Sequence, residues 1–531
     1  MTIKPIRNLN ALCTIPFGTS WPAHISPVML QLPDLPTMQL VLGAAASLGV
    51  VGVIRTFLPK STNSLPLPPS PPNWRLRGHS LPLLNPQLTV GAWIDEYGPL
   101  ITIRSGTEKI VYIGRYKAAV DIMEKQGASV ADRPHSVSAS ELFSNGQVLA
   151  FVHVGETFRR MRRALHTHLQ PKAAEAYEPL QMTYAKNTVL DILEDPVNFQ
   201  KHASAYSSTT ITKITYGKNA DDSEVAGGRQ FLMTLFKVVI PGAYLVDTIP
   251  WLKYLPWYGQ DLKQDHEDNR KLFTGQMSRV KKQMDANEDI GPSFGRYMLE
   301  NDYGLTESEM AFLSGSFFAA GSDTTAAGIC TILMAAACFP EEQAKVQAEI
   351  DAVIGRHRAP TFADQQSLPR LEAFISEAMR WRPLGPGFPH RATKDVIWGN
   401  YCIPAGTTVV GSHWAINRDP DVFPDPHAFY PQRWINDKGL VRDDITSFLY
   451  GFGRRICPGQ HIASRSLFIN SALIFWAFQL SLDPTKPVND MAYVAGVLPM
   501  TQPCGIEFTK KISDSEIRRM LKNYPEGASE V

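Results

Sequence analysis

Cysteine is scarce in this chain, and the six present never form a CxxC pair. That spacing argues against a disulfide framework or a structural zinc site. It suits a reducing compartment, where most cysteines act as small buried apolar residues. Net charge is nearly absent as well: 52 Lys and Arg against 51 Asp and Glu leave +1. No global field therefore favours nucleic acid as a partner. Internal repeats are missing too, which sets aside solenoids and propellers. What is present, 44% hydrophobic and 19% charged residues, suits a globular chain with a sizeable core.

One long uncharged run stands out near the start. MQLVLGAAASLGVVGVI, residues 38–54, meets Arg55 and Lys60; at 1.5 Å per residue it spans roughly 25 Å, and its extension to residue 58 reaches the thickness of a bilayer. It lies far from the N-terminus and lacks a clear small-residue cleavage site, so a single anchor over residues 38–58 is expected rather than a signal peptide. Arg55, Lys60, Arg75 and Arg77 follow it, against Lys4 and Arg7 before it, which places the C-terminal bulk in the cytosol. Residues 1–37 read as a lumenal leader, with Met38 as an alternative start. Residues 59–79 are proline-rich, SLPLPPSPPNWRLRGH, and read as a stiff extended hinge.

Beyond the hinge, residues 80–512 read as one mainly α domain with a minor β region, and residues 513–531 as a charged tail. PLITIRSG and KIVYIG alternate as a hairpin does, and VIWGNYCIPAGTTVVGSH reads as strand, turn, strand and turn. EMAFLSGSFFAAGSDTTAAGICTILMAAACF, residues 309–339, is apolar on every side. That pattern implies a helix buried through the domain centre, since a mid-bilayer Asp323 would be costly.

Three short stretches carry chemistry. YGFGRRICPGQHIA sets Cys457 in a glycine and arginine loop just ahead of a helix, with Pro458 suited to a first turn. The helix start, with Arg454 and Arg455 close by, favours thiolate over thiol; nucleophile, redox centre and metal ligand all remain open. In GSDTT, the hydroxyls read either as back-bonds to the preceding turn or, with Asp323 and Thr324 in a buried groove, as a proton relay. Glu377 and Arg380 of EAMR form a helix pair, and Arg433 of FYPQRW allows a buried network with them.

Taken together and in this order, these stretches resemble the cytochrome P450 superfamily of haem-thiolate monooxygenases, over residues 65–511. AGSDTT resembles its oxygen-activating helix segment, EAMR its Glu-x-x-Arg, FYPQRW its aromatic-x-Pro-x-Arg, and YGFGRRICPG its cysteine loop. The anchor and hinge are similar to those of microsomal members, and the general look to fungal secondary-metabolism members. The resemblance implies the cytochrome P450 fold, preceded by a single N-terminal transmembrane helix, with haem b held by Cys457 as axial thiolate. It implies Arg162, His390 and Arg455 as haem propionate partners, and Gly453 and Gly459 as glycines that let backbone approach the macrocycle. Asp323 and Thr324 become the catalytic proton relay, and Glu377, Arg380 and Arg433 the structural network.

It further implies electrons from NADPH through a membrane-bound cytochrome P450 reductase, cytochrome b5 as a further partner, O2 as co-substrate, and an endoplasmic reticulum membrane location with a cytosolic catalytic domain. A lipophilic substrate is expected in a pocket lined by residues 137–151, Phe317, Ala320, residues 387–388 and residues 494–498. A terpenoid or other secondary metabolite comes first and xenobiotic or fatty-acid oxidation second; a haem-thiolate isomerase or dehydratase, or a non-catalytic haem protein, is disfavoured by Asp323-Thr324. Two positions depart from the family pattern: Tyr450 replaces a phenylalanine, and Phe158 a tryptophan.

Overall fold

The computed structural model describes residues 65–73, 78–82, 84–106, 108–219, 221–240, 242–288, 291–491, 504–522 and 524. The leader, the anchor over 38–58 and the pocket segment 494–498 lie outside these residues, as do residues 74–77 of the hinge.

Helices make most of the described structure. Those used below are α1 (Glu156–Leu169), α2 (Glu178–Glu194), α3 (Phe199–Tyr216), α4 (Asp222–Val238), α5 (Gln260–Asp285), α6 (Glu307–Cys338), α7 (Pro340–Val353), α8 (Pro369–Trp381), α9 (Gln460–Ala477) and α10 (Asp514–Lys522). Strands β1 (Leu100–Ser105) and β2 (Glu108–Ile113) pair antiparallel. Strands β3 (His390–Arg391) and β6 (Thr408–Gly411) complete a sheet in the order β1-β2-β6-β3. Between them β4 (Val396–Trp398) and β5 (Tyr401–Ile403) form a hairpin across Gly399 and Asn400, as the Gly-Asn turn predicts. A further pair joins β7 (Phe478–Leu482) to β8 (Ile506–Lys510).

The central helix α6 starts at a capping box. Glu309 donates its backbone N–H to Thr306 Oγ1 (3.2 Å), and Thr306 donates its own to Glu309 Oε2 (2.8 Å), so orphan amides at the helix start are satisfied. Pro340 follows the helix and opens α7. Among the described residues α6 is the one helix long and apolar enough to cross a membrane, yet 72% of its apolar window is buried in protein. Its hydrophobicity on all sides is that of a core element wrapped by α3, α4, α5 and α9.

Two stretches differ from their sequence reading. The hinge residues 65–73 are strapped to the domain: Pro68 and Pro69 carbonyls accept from Thr102, and Pro66 accepts from the Cys402 N–H at 2.9 Å. Proline lacks an N–H but keeps its carbonyl, and sheet donors take those carbonyls up. The other stretch is the charged tail, part of which is the amphipathic helix α10. Its Ile517, Met520 and Leu521 are buried in the large apolar cluster with α2 and α9. Lysines and arginines on the opposite face hide that spacing when charge alone is counted.

Candidate active site

The loop before α9 is built to hold one sulfur still. Cys457 donates its N–H to the Tyr450 carbonyl (2.8 Å), and Arg455 donates its own to Phe452 (3.1 Å). Gly453 turns the chain at φ +50°, and a Cβ there would meet the Met123 carbonyl oxygen at 2.5 Å. Its glycine is therefore demanded by neighbouring protein backbone. Gly453 lies off the cavity described next, whereas Gly459 lines it.

That cavity holds about 340 Å³ and is walled chiefly by apolar side chains from α1, α3, α4, α6 and α9. The sulfur is exposed, but to the interior of the cavity, because protein surrounds it on every side. Burial pushes the thiol pKa up; a hydrogen bond from the Gly459 amide and the Arg162 guanidinium pull against this without overcoming it. The expected bias toward thiolate is thus corrected in part. The helix-start amide contributes, but Arg454 is exposed and Arg455 turns elsewhere, while desolvation dominates. A bound metal cation is what deprotonates such a thiol outright.

Three buried or half-buried guanidinium groups share the cavity wall: Arg133, Arg162 and Arg455. Arg455 donates to the carbonyls of Ala131 (2.7 Å), Leu149 (3.3 Å) and Val152 (2.7 Å). Arg133 donates to Ala150 (2.7 Å) and Pro389 (2.6 Å), and Arg162 to Ile456 (2.9 Å). Among the described residues none of the three makes an ion pair. Burial lowers all three, Arg133 to about 9 and Arg455 to about 10. Cations desolvated without carboxylates are costly. A flat, largely apolar group carrying carboxylates and a metal fits this donor set of one thiol and three guanidinium groups.

His390 is buried, and its Nδ1 is hydrogen-bonded to the Val130 carbonyl at 2.9 Å. It does not line the cavity; burial and the nearby Arg133 push its pKa down to about 3. Arg133 is a single arginine in ADRPHS, and no periodicity marks it in the sequence.

On α6, Thr324 lines the cavity with Phe317 and Ala320, and its hydroxyl donates back to the Ala320 carbonyl at 2.8 Å. Ser322 does the same to Phe318 at 2.8 Å, so the back-bonding reading of GSDTT holds beside any chemical one. Gly321 has its own cause: a Cβ there would meet Ile211 Cγ1 of α3 at 2.4 Å. Asp323 is buried and points to α4, where its Oδ1 accepts from Arg229 Nη2 at 2.9 Å. Its Oδ2 has no hydrogen-bond partner, while Arg229 is half exposed. Arg229 is a second residue the sequence did not flag.

Glu377, Arg380 and Arg433 meet away from the cavity. Glu377 accepts from Arg380 Nε (2.7 Å) and Nη2 (2.8 Å), Arg433 Nε (3.3 Å), Trp434 Nε1 (2.9 Å) and the Tyr430 N–H (2.7 Å). Arg380 spends its remaining donors on the carbonyls of Asn417, Pro426 and Ala428. The two departures also find partners. Tyr450 Oη lies 2.8 Å from Ser464 Oγ. The Arg455 guanidinium sits 3.8 Å from the Phe158 ring centroid, a cation–π contact in place of an indole donor.

A family model described as Cytochrome P450 matches residues 68–508. Cytochrome P450 monooxygenase 64 of Postia placenta is 43% identical over 488 residues, 90% of this chain and 98% of its own. Cytochrome P450 monooxygenase 113 of the same fungus is 45% identical over 459 residues, covering 85% and 92%. Cytochrome P450 monooxygenase 58, also from Postia placenta, is 33% identical over 461 residues, covering 83% and 87%.

Proposed function

The chain belongs to the cytochrome P450 family and is a monooxygenase, and from that premise we propose that it oxidises a lipophilic terpenoid or other secondary-metabolite intermediate. The observation that carries the reading is the single thiol of Cys457 facing a mostly apolar cavity whose other polar wall is guanidinium. Haem bound there supplies dioxygen activation and one-electron chemistry. Cys457 Sγ would hold its iron, and Arg133, Arg162 and Arg455 would take its carboxylates; His390 adds a neutral neighbour to that anion site.

The protein's own contributions are three. Apolar walls from α3, α4 and α6 desolvate and orient the substrate. Thr324 Oγ1 offers a hydroxyl on the cavity side of α6. Asp323 Oδ2, free of partners and joined through Oδ1 to half-exposed Arg229, takes protons from the solvent side and passes them toward Thr324. The same pair speaks for oxygen insertion over isomerase or dehydratase chemistry, which needs no relay.

Electrons come from NADPH through a cytochrome P450 reductase, with cytochrome b5 as a second donor. The protein resides in the endoplasmic reticulum membrane, anchored by residues 38–58. Support for membrane contact comes from Ile240, Leu245, Ile249, Trp251, Tyr254 and Trp257, all exposed within one segment, a composition suited to a membrane interface.

The test is incubation with reductase, NADPH and 18O2 against panels of terpenoids, fatty acids and drug-like aromatics. Labelled product from terpenoid skeletons is expected. Labelled product from the other panels alone would overturn the substrate class.

A further inference from the structure

A second, smaller cavity of about 130 Å³ adjoins the first, and the two share Arg133 and Phe388 in their walls. Its outer rim includes Glu108, His135, Ile240 and Thr248, all exposed, so it opens to the outside. Its inner end is the Phe388 ring. That ring is held by the Arg133 guanidinium 5.2 Å from its centroid and by Phe236 of α4 in an edge contact at 6.2 Å. Arg133 in turn donates to the Pro389 carbonyl, next in sequence to Phe388.

We propose that the smaller cavity is an antechamber through which substrate reaches the inner cavity, and that Phe388 is the gate between them. An aromatic ring turns about its side-chain bonds without moving backbone, and its contacts, one cation–π and one edge-to-face, are each weak enough to open often. Ala150 and Pro389 carbonyls fix Arg133, so the cation stays while the ring moves. A gate of this kind sorts ligands by width and leaves small ones unaffected. It makes Phe388 a specificity-determining residue acting on the rate of capture.

The inference rests on the reading of the inner cavity as the haem and substrate site. Its test uses the full-length haem-loaded protein in stopped flow, with two iron-binding azoles as probes: imidazole, which is small, and clotrimazole, which is bulky. Phe388→Ala is expected to raise the clotrimazole association rate about tenfold and leave that of imidazole nearly unchanged. Phe388→Leu, a gentler change, is expected between the two. Thr248→Trp, at the exposed rim, is expected to slow clotrimazole in either background. Equal changes for both azoles, or no change, would overturn the gate. An unaltered clotrimazole rate in Thr248→Trp would overturn the antechamber as the route. A wild type whose Soret band responds to neither azole would instead overturn the underlying reading of the cavity.

Discussion

Two clusters of buried arginine are settled in opposite ways. In the knot around Glu377, one carboxylate receives Arg380 and Arg433 together with Trp434 and the Tyr430 amide. Around the cavity, Arg133, Arg162 and Arg455 have backbone carbonyls and no ion pair among the described residues, with the Asp132 carboxylate acting on Arg133 and Arg455 only at longer range. A closed network spends its charge on the fold. An open one holds charge ready for something that arrives. Burial of arginine therefore says little about its role until the counter-charge is located.

The largest effect is expected in the closed network. Glu377→Gln removes the carboxylate and strands two buried guanidinium groups, so unfolding free energy is expected to fall by about 3–5 kcal/mol, read by urea denaturation. A loss below about 1 kcal/mol would remove the claim that this network secures the fold. Asp323 lies between the extremes, with one oxygen paired and one free. Asp323→Asn is expected to lower turnover about a hundredfold while stability moves by no more than about 1 kcal/mol, Arg229 being half exposed. Equal loss of turnover in Asp323→Asn and Asp323→Ala, together with unfolding, would mark it as structural.

At the open end, Arg162→Leu removes an unmatched cation, so folding stability is expected to hold or rise slightly. Haem transfer to an acceptor globin is expected to speed about tenfold, the worth of one charge-assisted contact. A further effect is a pH slope. His390 titrates at about 3 when folded and near 6.5 when unfolded. The unfolded chain therefore binds its proton first as pH falls, and stability declines from about pH 6.5 toward 3 by up to about 1.4 kcal/mol per unit. His390→Asn, which keeps a donor for the Val130 carbonyl, is expected to flatten that slope in pH-dependent denaturation.

Local chemistry was the legible part. Cys457 in its glycine loop, the Glu377 and Arg380 spacing, the apolar run of α6 and the Gly399-Asn400 turn each carry their cause within a few residues. What stayed hidden depends on a partner far along the chain. Gly453 answers to Met123 and Gly321 to Ile211, and no local pattern shows either. Arg133 and Arg229 were passed over because a single arginine on a loop or helix face has no period to betray burial. The preference of Cys457 for thiolate was overstated for a related reason: sequence shows the helix start but not the depth at which the sulfur sits. The helix α10 was obscured by its own charges.

Iron ligation by the Cys457 thiol is read out by the carbon monoxide difference spectrum of the reduced protein, wild type beside Cys457→Ala. A Soret band strongly shifted to the red is expected in the wild type and not in a folded Cys457→Ala protein. An unshifted band in the wild type, or the same shifted band in both proteins, would contradict it.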